Sequence, residues 1–103
     1  MKLDGLKVLD LSLFLPGPAV SLMMADHGAE VIKIENPKAP EPTRFKQFFP
    51  WVQGDWTVMF RTTQRGKKGL TLNLKDPAGK EILLKLVKEA DVFIESFRPG
   101  VMK

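Results

Sequence analysis

A chain of 103 residues, 44% hydrophobic and 27% charged, can bury one modest core and does not have the composition of a disordered segment. It has no cysteine, which excludes disulfides, thiolate metal sites and a catalytic thiol together and is compatible with a reducing cytoplasm. The net charge of +4 favours anionic partners, Asp4, Lys7 and Asp10 break up any apolar leader, and no apolar run approaches the ~20 residues of a membrane helix.

In chain order, residues 7–12 (Lys-Val-Leu-Asp-Leu-Ser) read as a first strand with Val8, Leu9 and Leu11 apolar. Phe14-Leu15-Pro16-Gly17-Pro18 makes a turn whose prolines argue against a helix running through it, so the helix is expected from Ala19 to about His27, stopped by Gly28. Residues 30–34 are the second strand, ending in Glu35-Asn36-Pro37. From Asn36 to about Gly54 the frequent prolines discourage regular structure, yet Phe45, Phe48, Phe49, Trp51 and Trp56 gather there, more than a solvated linker would carry. Residues 57–60 fit a short strand or a short helix equally well.

The clearest local signal is the stretch from Leu70 to Gly100, which reads strand, helix, strand. A strand is predicted at 70–74 and another at 91–95, and between them a helix runs from Asp76-Pro77 to about Glu89. Asp76 is a suitable N-cap and Pro77 a natural first helical residue, while Ile82, Leu83, Leu86, Val87 and Ala90 fall on one helical face. Two βαβ units predict an α/β fold, a Rossmann-like parallel sheet whose ligands lie beyond the carboxyl ends of the strands. Those ends are 13–17, Glu35-Asn36, Leu74-Lys75 and Ser96 to Gly100, which together read as a cradle for a phosphate-bearing, nucleotide-like ligand.

The individual signals each have a plainer reading. The Pro16-Gly17-Pro18 turn is either an anion site at a helix N-terminus or a simple strand-to-helix corner. A dinucleotide glycine fingerprint is lacking, although Glu35 stands where a ribose-binding acid would. His27, next to the helix-stopping Gly28, suits carbonyl capping better than base catalysis. A single histidine and no cysteine give a metal site no support. The basic residues Arg61, Arg65, Lys67 and Lys68 fit anion binding and a solvated face equally. Nucleic acid would need a denser basic surface with exposed stacking aromatics, so the aromatics of 45–60 read as core or subunit interface.

Taken together, Leu9-Asp-Leu-Ser12, Pro16-Gly17-Pro18 and Ala25-Asp-His-Gly-Ala-Glu-Val-Ile-Lys-Ile-Glu35 closely resemble the N-terminus of family III CoA-transferases. That family includes formyl-CoA transferase, carnitine CoA-transferase, bile-acid CoA-transferase and alpha-methylacyl-CoA racemase. Further matches are Thr43-Arg44, Arg65-Gly-Lys-Lys68, Leu72-Asn-Leu-Lys75, Pro77-Ala-Gly-Lys-Glu81 and the run from Ala90 to Met102, so the likeness spans nearly the whole chain in one register. It implies that residues 1–103 are the N-terminal, CoA-binding segment of a longer fold, whether a fragment or a separated piece. The implied cofactor-binding residues are Leu15, Pro16, Asn36, Leu72, Asn73, Leu74, Lys75, Ser96, Phe97 and Arg98. Lys75 and Arg98 would suit the CoA phosphates, and Phe97 the adenine or the pantetheine arm. Asn36 stands where formyl-CoA transferase has an arginine, and Leu13 and Leu15 where it has polar residues near the thioester, implying a more apolar setting here.

The family's transferases use an aspartate that attacks the acyl-CoA thioester, and its racemases a carboxylate with a histidine. The resemblance places these beyond the matched segment, so no catalytic residue is expected in this chain. The implied activity is CoA transfer between carboxylic acids, with acyl-CoA and a carboxylic acid as partners and no metal, nucleic acid or membrane. An interlocked homodimer in the cytoplasm is the implied setting, with Phe48, Phe49 and Trp51 as candidates for surface meant for the missing chain. A racemase segment and a non-catalytic CoA- or nucleotide-binding module stand as the alternatives.

Overall fold

The computed structural model describes residues 1–13, 16–38, 41, 44, 52–53 and 56–96, with the backbone alone at 52–53, 56–59 and 61. In chain order the elements are β1 (Lys7–Asp10), α1 (Pro16–Asp26), β2 (Glu30–Glu35), β3 (Val52–Gln53), β4 (Trp56–Thr57), α2 (Val58–Gln64), β5 (Lys68–Thr71), α3 (Pro77–Glu89) and β6 (Val92–Ile94). Four of the strands form a parallel sheet in the order β5-β2-β1-β6, while β3 and β4 pair with each other as a short antiparallel hairpin. The α/β class and the parallel sheet expected from the two βαβ patterns are therefore present.

The second unit straddles the first. Its strands β5 and β6 form the two edges of the sheet, so α3 must cross β2 and β1 to connect them. Its floor is Leu9, Leu11 and Ile34, onto which Leu83 is buried with Leu86 and Ala90 beside it. Ile82 and Val87, expected on that face, lie at its two flanks and stay partly exposed. Asp76 caps the helix by accepting the Ala78 N–H at 2.9 Å, and Pro77 occupies the first helical turn.

Side chains alternate across the sheet with period two. Leu9, Leu11, Ile32 and Ile34 face α3, whereas Val8 and Val31 join Ala29, Met24 and Ala25 on the α1 side. Helix α2 packs beside α1. At the end of α1, Gly28 takes φ +102°, a left-handed backbone that favours glycine, and a Cβ there would also push the exposed Asp4 carboxylate aside.

β1 and β6 are shorter than the sequence reading, ending at Asp10 rather than Ser12 and spanning Val92–Ile94 rather than 91–95, and three further differences bear on the site. α1 begins at Pro16 rather than at Ala19. Prolines break helices by withholding an N–H and crowding the preceding turn, but in the first turn the N–H groups have no helical acceptor and no turn precedes them. β5 spans Lys68–Thr71 rather than 70–74. The alternation of Leu70, Leu72 and Leu74 correctly marks three residues that pack against the same core, but past Thr71 the chain leaves the ladder after a last bond from Leu72 N–H to the Glu35 carbonyl, 3.0 Å. Lastly, the undecided 57–60 stretch is both: Thr57 ends β4 and α2 starts at Val58.

Candidate functional site

Because the four strands run parallel, their carboxyl ends share one edge of the sheet. Beyond the tip of β5 lie Leu72, Asn73, Leu74 and Lys75; beyond β2, Asn36; beyond β1, the start of α1 at Pro16; beyond β6, Ser96. The structure thus aligns seven of the sequence-derived residues along a single rim. Leu15, Phe97 and Arg98 lie outside the described residues, as do the aromatics Phe45, Phe48, Phe49 and Trp51. Three interstrand spacings separate the β5 and β6 tips, about 14 Å in all, so the rim suits an extended ligand rather than a compact one.

Local bonds fix each part of the rim. Asn73 Oδ1 accepts the Lys75 N–H at 3.1 Å and the Asn73 carbonyl accepts the Asp76 N–H at 3.1 Å, a tight turn that leaves the Lys75 side chain exposed. Gly79 lets α3 lie against this turn: a Cβ there would meet the Asn73 carbonyl oxygen at 2.1 Å. Leu72 itself is core, so only its backbone faces the rim. Asn36 is exposed and its Oδ1 accepts the Lys38 N–H at 2.9 Å. At the other end, the Leu13 N–H donates to Ser96 Oγ at 3.3 Å, tying the β1 tip to the β6 tip. Of the first three residues of α1 only Gly17 has an N–H to offer, so the corner reading of Pro16-Gly17-Pro18 fits better than an anion cradle.

Behind the rim, on the α1 side, lies a buried set of charges that the sequence did not bring together: Asp10, Lys33 and Glu41 had no expected role, while Glu35 stood as a ribose-acid candidate and Lys67 as an anion-binding or surface residue. Asp10 and Lys33 are paired positions on β1 and β2, and both are buried. Asp10 accepts bonds from the Ser12 N–H at 2.8 Å, the Ser12 hydroxyl and the Ser21 hydroxyl at 2.5 Å, and forms an ion pair with Lys67 at 3.3 Å. Lys67 also donates to the Pro18 carbonyl and to Gln64 Oε1, each at 3.0 Å. Lys33 donates to the Ser12 carbonyl and pairs with Glu41 at 2.8 Å. Glu35, the last residue of β2, accepts the Glu41 N–H at 2.8 Å and is gripped by Arg44, whose Nη2 lies 2.6 Å and Nε 3.0 Å from its carboxylate. The Arg44 guanidinium stacks 4.0 Å above the Phe60 ring centre.

Burial alone would raise the Asp10 carboxyl; the hydroxyls of Ser12 and Ser21 and the charges of Lys33 and Lys67 outweigh it and hold the group below the ordinary carboxylate value. Glu35 follows the same logic, with burial opposed by Arg44, the Glu41 N–H and Lys33. Burial pulls the Lys67 ammonium below the ordinary lysine value, with Asp10 acting against it. Both carboxylates are thus ionised and fully engaged, which fits neither a nucleophile nor, for Glu35, a free ribose acid. Glu35, Asn36, Pro37, Arg44 and Thr71 line an open depression of about 320 Å³ between the β2 and β5 tips.

The basic stretch of 61–68 divides. The Lys67 side chain is internal, Arg65 pairs with Asp26 and Lys68 with Glu30 at the surface. His27 lies exposed at the end of α1, at the opposite edge of the sheet from the rim, and its carbonyl accepts the Leu3 N–H at 3.0 Å. Among the described residues no group of three or more histidine and acidic side chains is arranged to hold a metal ion, and no helix is long and apolar enough to cross a membrane. The buried charges did leave a trace in the sequence. Asp10 and Lys33 each interrupt an apolar run on a strand covered on both faces, where an ionised group must find a partner.

A parallel sheet in this order, helices on both faces and an exposed polar rim beyond the strand tips define a Rossmann-like α/β unit of the kind that takes ligands at that rim. Residues 3–103 match the model of CoA-transferase family III, and the chain belongs to that family. It is 46% identical over 99 residues to acetyl-CoA:oxalate CoA-transferase of Acetobacter aceti, covering 96% of this chain and 25% of that protein. It is 40% identical over 98 residues to the human succinyl-CoA:glutarate CoA-transferase, covering 95% of this chain and 22% of the relative. Among solved structures, a CAIB/BAIF family protein from Brucella suis superposes with a TM-score of 0.83 at 39% identity, covering 95% of this chain and 26% of that one. The chain therefore spans about a quarter of the length of the relatives it matches.

Proposed function

We propose that this chain supplies the CoA-binding rim of an acyl-CoA:carboxylate CoA-transferase, holding an acyl-CoA along the strand tips while a carboxylic acid receives the CoA. The observation that carries the reading is the alignment of Pro16, Asn36, residues 72–75 and Ser96 on one edge of the sheet, with the Lys75 ammonium exposed at one end. Two features of that rim support it. Its length suits a ligand with phosphates at one end and a thioester at the other, and its polar groups are set by short local turns rather than by long flexible loops. The names of the relatives, each pairing a CoA thioester with a carboxylate acceptor, support the same substrate class.

In this reading the chain's own residues bind and orient. Lys75 meets phosphate, Asn36 and the 72–75 backbone flank the nucleotide, and the Leu13–Ser96 tie sets the thioester end. The carboxylates Asp10 and Glu35 are engaged inside the fold and take no part in the covalent chemistry. Calorimetry of the whole polypeptide with CoA tests the proposal: saturable binding is expected, weakened about fivefold or more in Lys75→Ala as a charge-assisted phosphate contact is lost. Absence of binding by the parent chain, or unchanged affinity in Lys75→Ala, overturns it.

A further inference from the structure

Lys33 and Lys67 come from distant parts of the chain, one in β2 and one just ahead of β5, yet they converge beneath the same turn. Lys33 donates to the carbonyl of Ser12, at the β1 end of the β1–α1 turn, and Lys67 to the carbonyl of Pro18, at its α1 end. Their side chains are 3% and 1% exposed, which removes them from contact with any phosphate. Pro16 and Pro18 bring no N–H, so the turn has little capacity to bond to itself. Ser12, held on Asp10, is also the surface on which the helix start rests, since a Cβ at Gly17 would lie 2.1 Å from Ser12 Oγ. Moving Ser12 or Pro18 therefore moves the Pro16–Gly17 corner and, through the Leu13–Ser96 bond, the β6 tip.

We propose that Lys33 and Lys67 are positioning residues: buried cations that hold the two ends of the β1–α1 turn and so set the thioester side of the rim. This rests on the CoA reading above and deepens it, because it assigns a role to the Lys67 of the basic motif that neither surface charge nor ligand binding explains. The nucleotide side of the rim, built by the 72–76 turn and the cap of α3, has its own local bonds; Lys67 makes none of them, and Lys33 reaches that side only indirectly, through Glu41 and Glu35.

The test compares two probes, acetyl-CoA and adenosine 3′,5′-bisphosphate, by calorimetry on the whole polypeptide. An Asp10→Asn/Lys67→Met variant removes the buried pair without stranding a charge. Its acetyl-CoA affinity is expected to fall about tenfold, as for other small misplacements of a binding loop, with bisphosphate affinity held within about twofold. Lys67→Arg, which keeps a cation and donors, is expected to recover most of the loss. Ser21→Ala removes one donor to Asp10 and no charge, and if the double variant does not fold it decides the matter, with an expected loss of about threefold confined to acetyl-CoA. Equal losses for the two probes, or none, in the folded variants overturn the positioning role while leaving the CoA reading standing. A parent chain that binds neither probe overturns both.

Discussion

On the α3 side of the sheet, Leu9, Leu11, Ile32 and Ile34 meet Leu72, Leu83 and Leu86 in an apolar layer. On the α1 side the same two strands begin with Val8 and Val31 but continue with Asp10, Lys33 and Glu35, all buried. The apolar layer needs only matched shape. The charged layer lies toward the strand tips, where the excursion between β2 and β5 folds back, and each ion there holds a particular backbone group. Apolar packing fixes where the sheet lies under its helix; the ions fix where individual carbonyls of the rim sit. A site that must present atoms at set places draws on the second kind of contact.

Asp10→Ala should have the largest effect on stability, because it strands Lys67 in the interior; a loss of about 3–5 kcal/mol is expected in urea unfolding at neutral pH. Asp10 and Glu35 also give the parent an acid limb. Their native values lie below the ordinary 3.8 and 4.5, so the stability they contribute is complete above those ordinary values and is lost as the pH falls through the lower native ones. Asp10→Ala should flatten that limb in unfolding curves recorded from neutral pH down to the acid range.

Leu83→Ala comes next, at about 3 kcal/mol for a cavity in the apolar layer, but its curve should run parallel to the parent's at every pH. A Leu83→Ala curve that changes slope would break the distinction between the layers. Gly79→Ala is expected to remove about 1–3 kcal/mol, since its Cβ must displace the Asn73 carbonyl, and to weaken CoA binding through the 72–76 turn. The smallest effect is that of Asp76→Ala, about 1 kcal/mol from loss of the α3 cap, read as a shift in the thermal midpoint.

Much of the frame was legible from local pattern. Val8, Leu9 and Leu11, then Val31, Ile32 and Ile34, announced strands, and Asp76-Pro77 announced the start of α3. The rim followed, because parallel strands put their tips on one edge whatever their order. What escaped was pairing at a distance. Lys67 sits among basic residues that look like a surface run, and only the return of the chain beneath α1 places it against Asp10, 57 positions away. Arg44 and Glu41 gave no local sign that they would close on Glu35 and Lys33. The prolines of α1 misled for the opposite reason, since a rule about helix interiors was applied to a helix start.

By itself the sequence determined the α/β alternation, the family and the segments that follow the strands, because these depend on hydrophobic period, capping chemistry and motif spacing along the chain. Only the tertiary structure decided that β5 and β6 are the outer strands, that Lys33 and Lys67 point inward, and that Asp10 and Glu35 are already engaged. The physical reason is the free energy of a buried charge, which depends on the groups brought beside it from elsewhere in the chain.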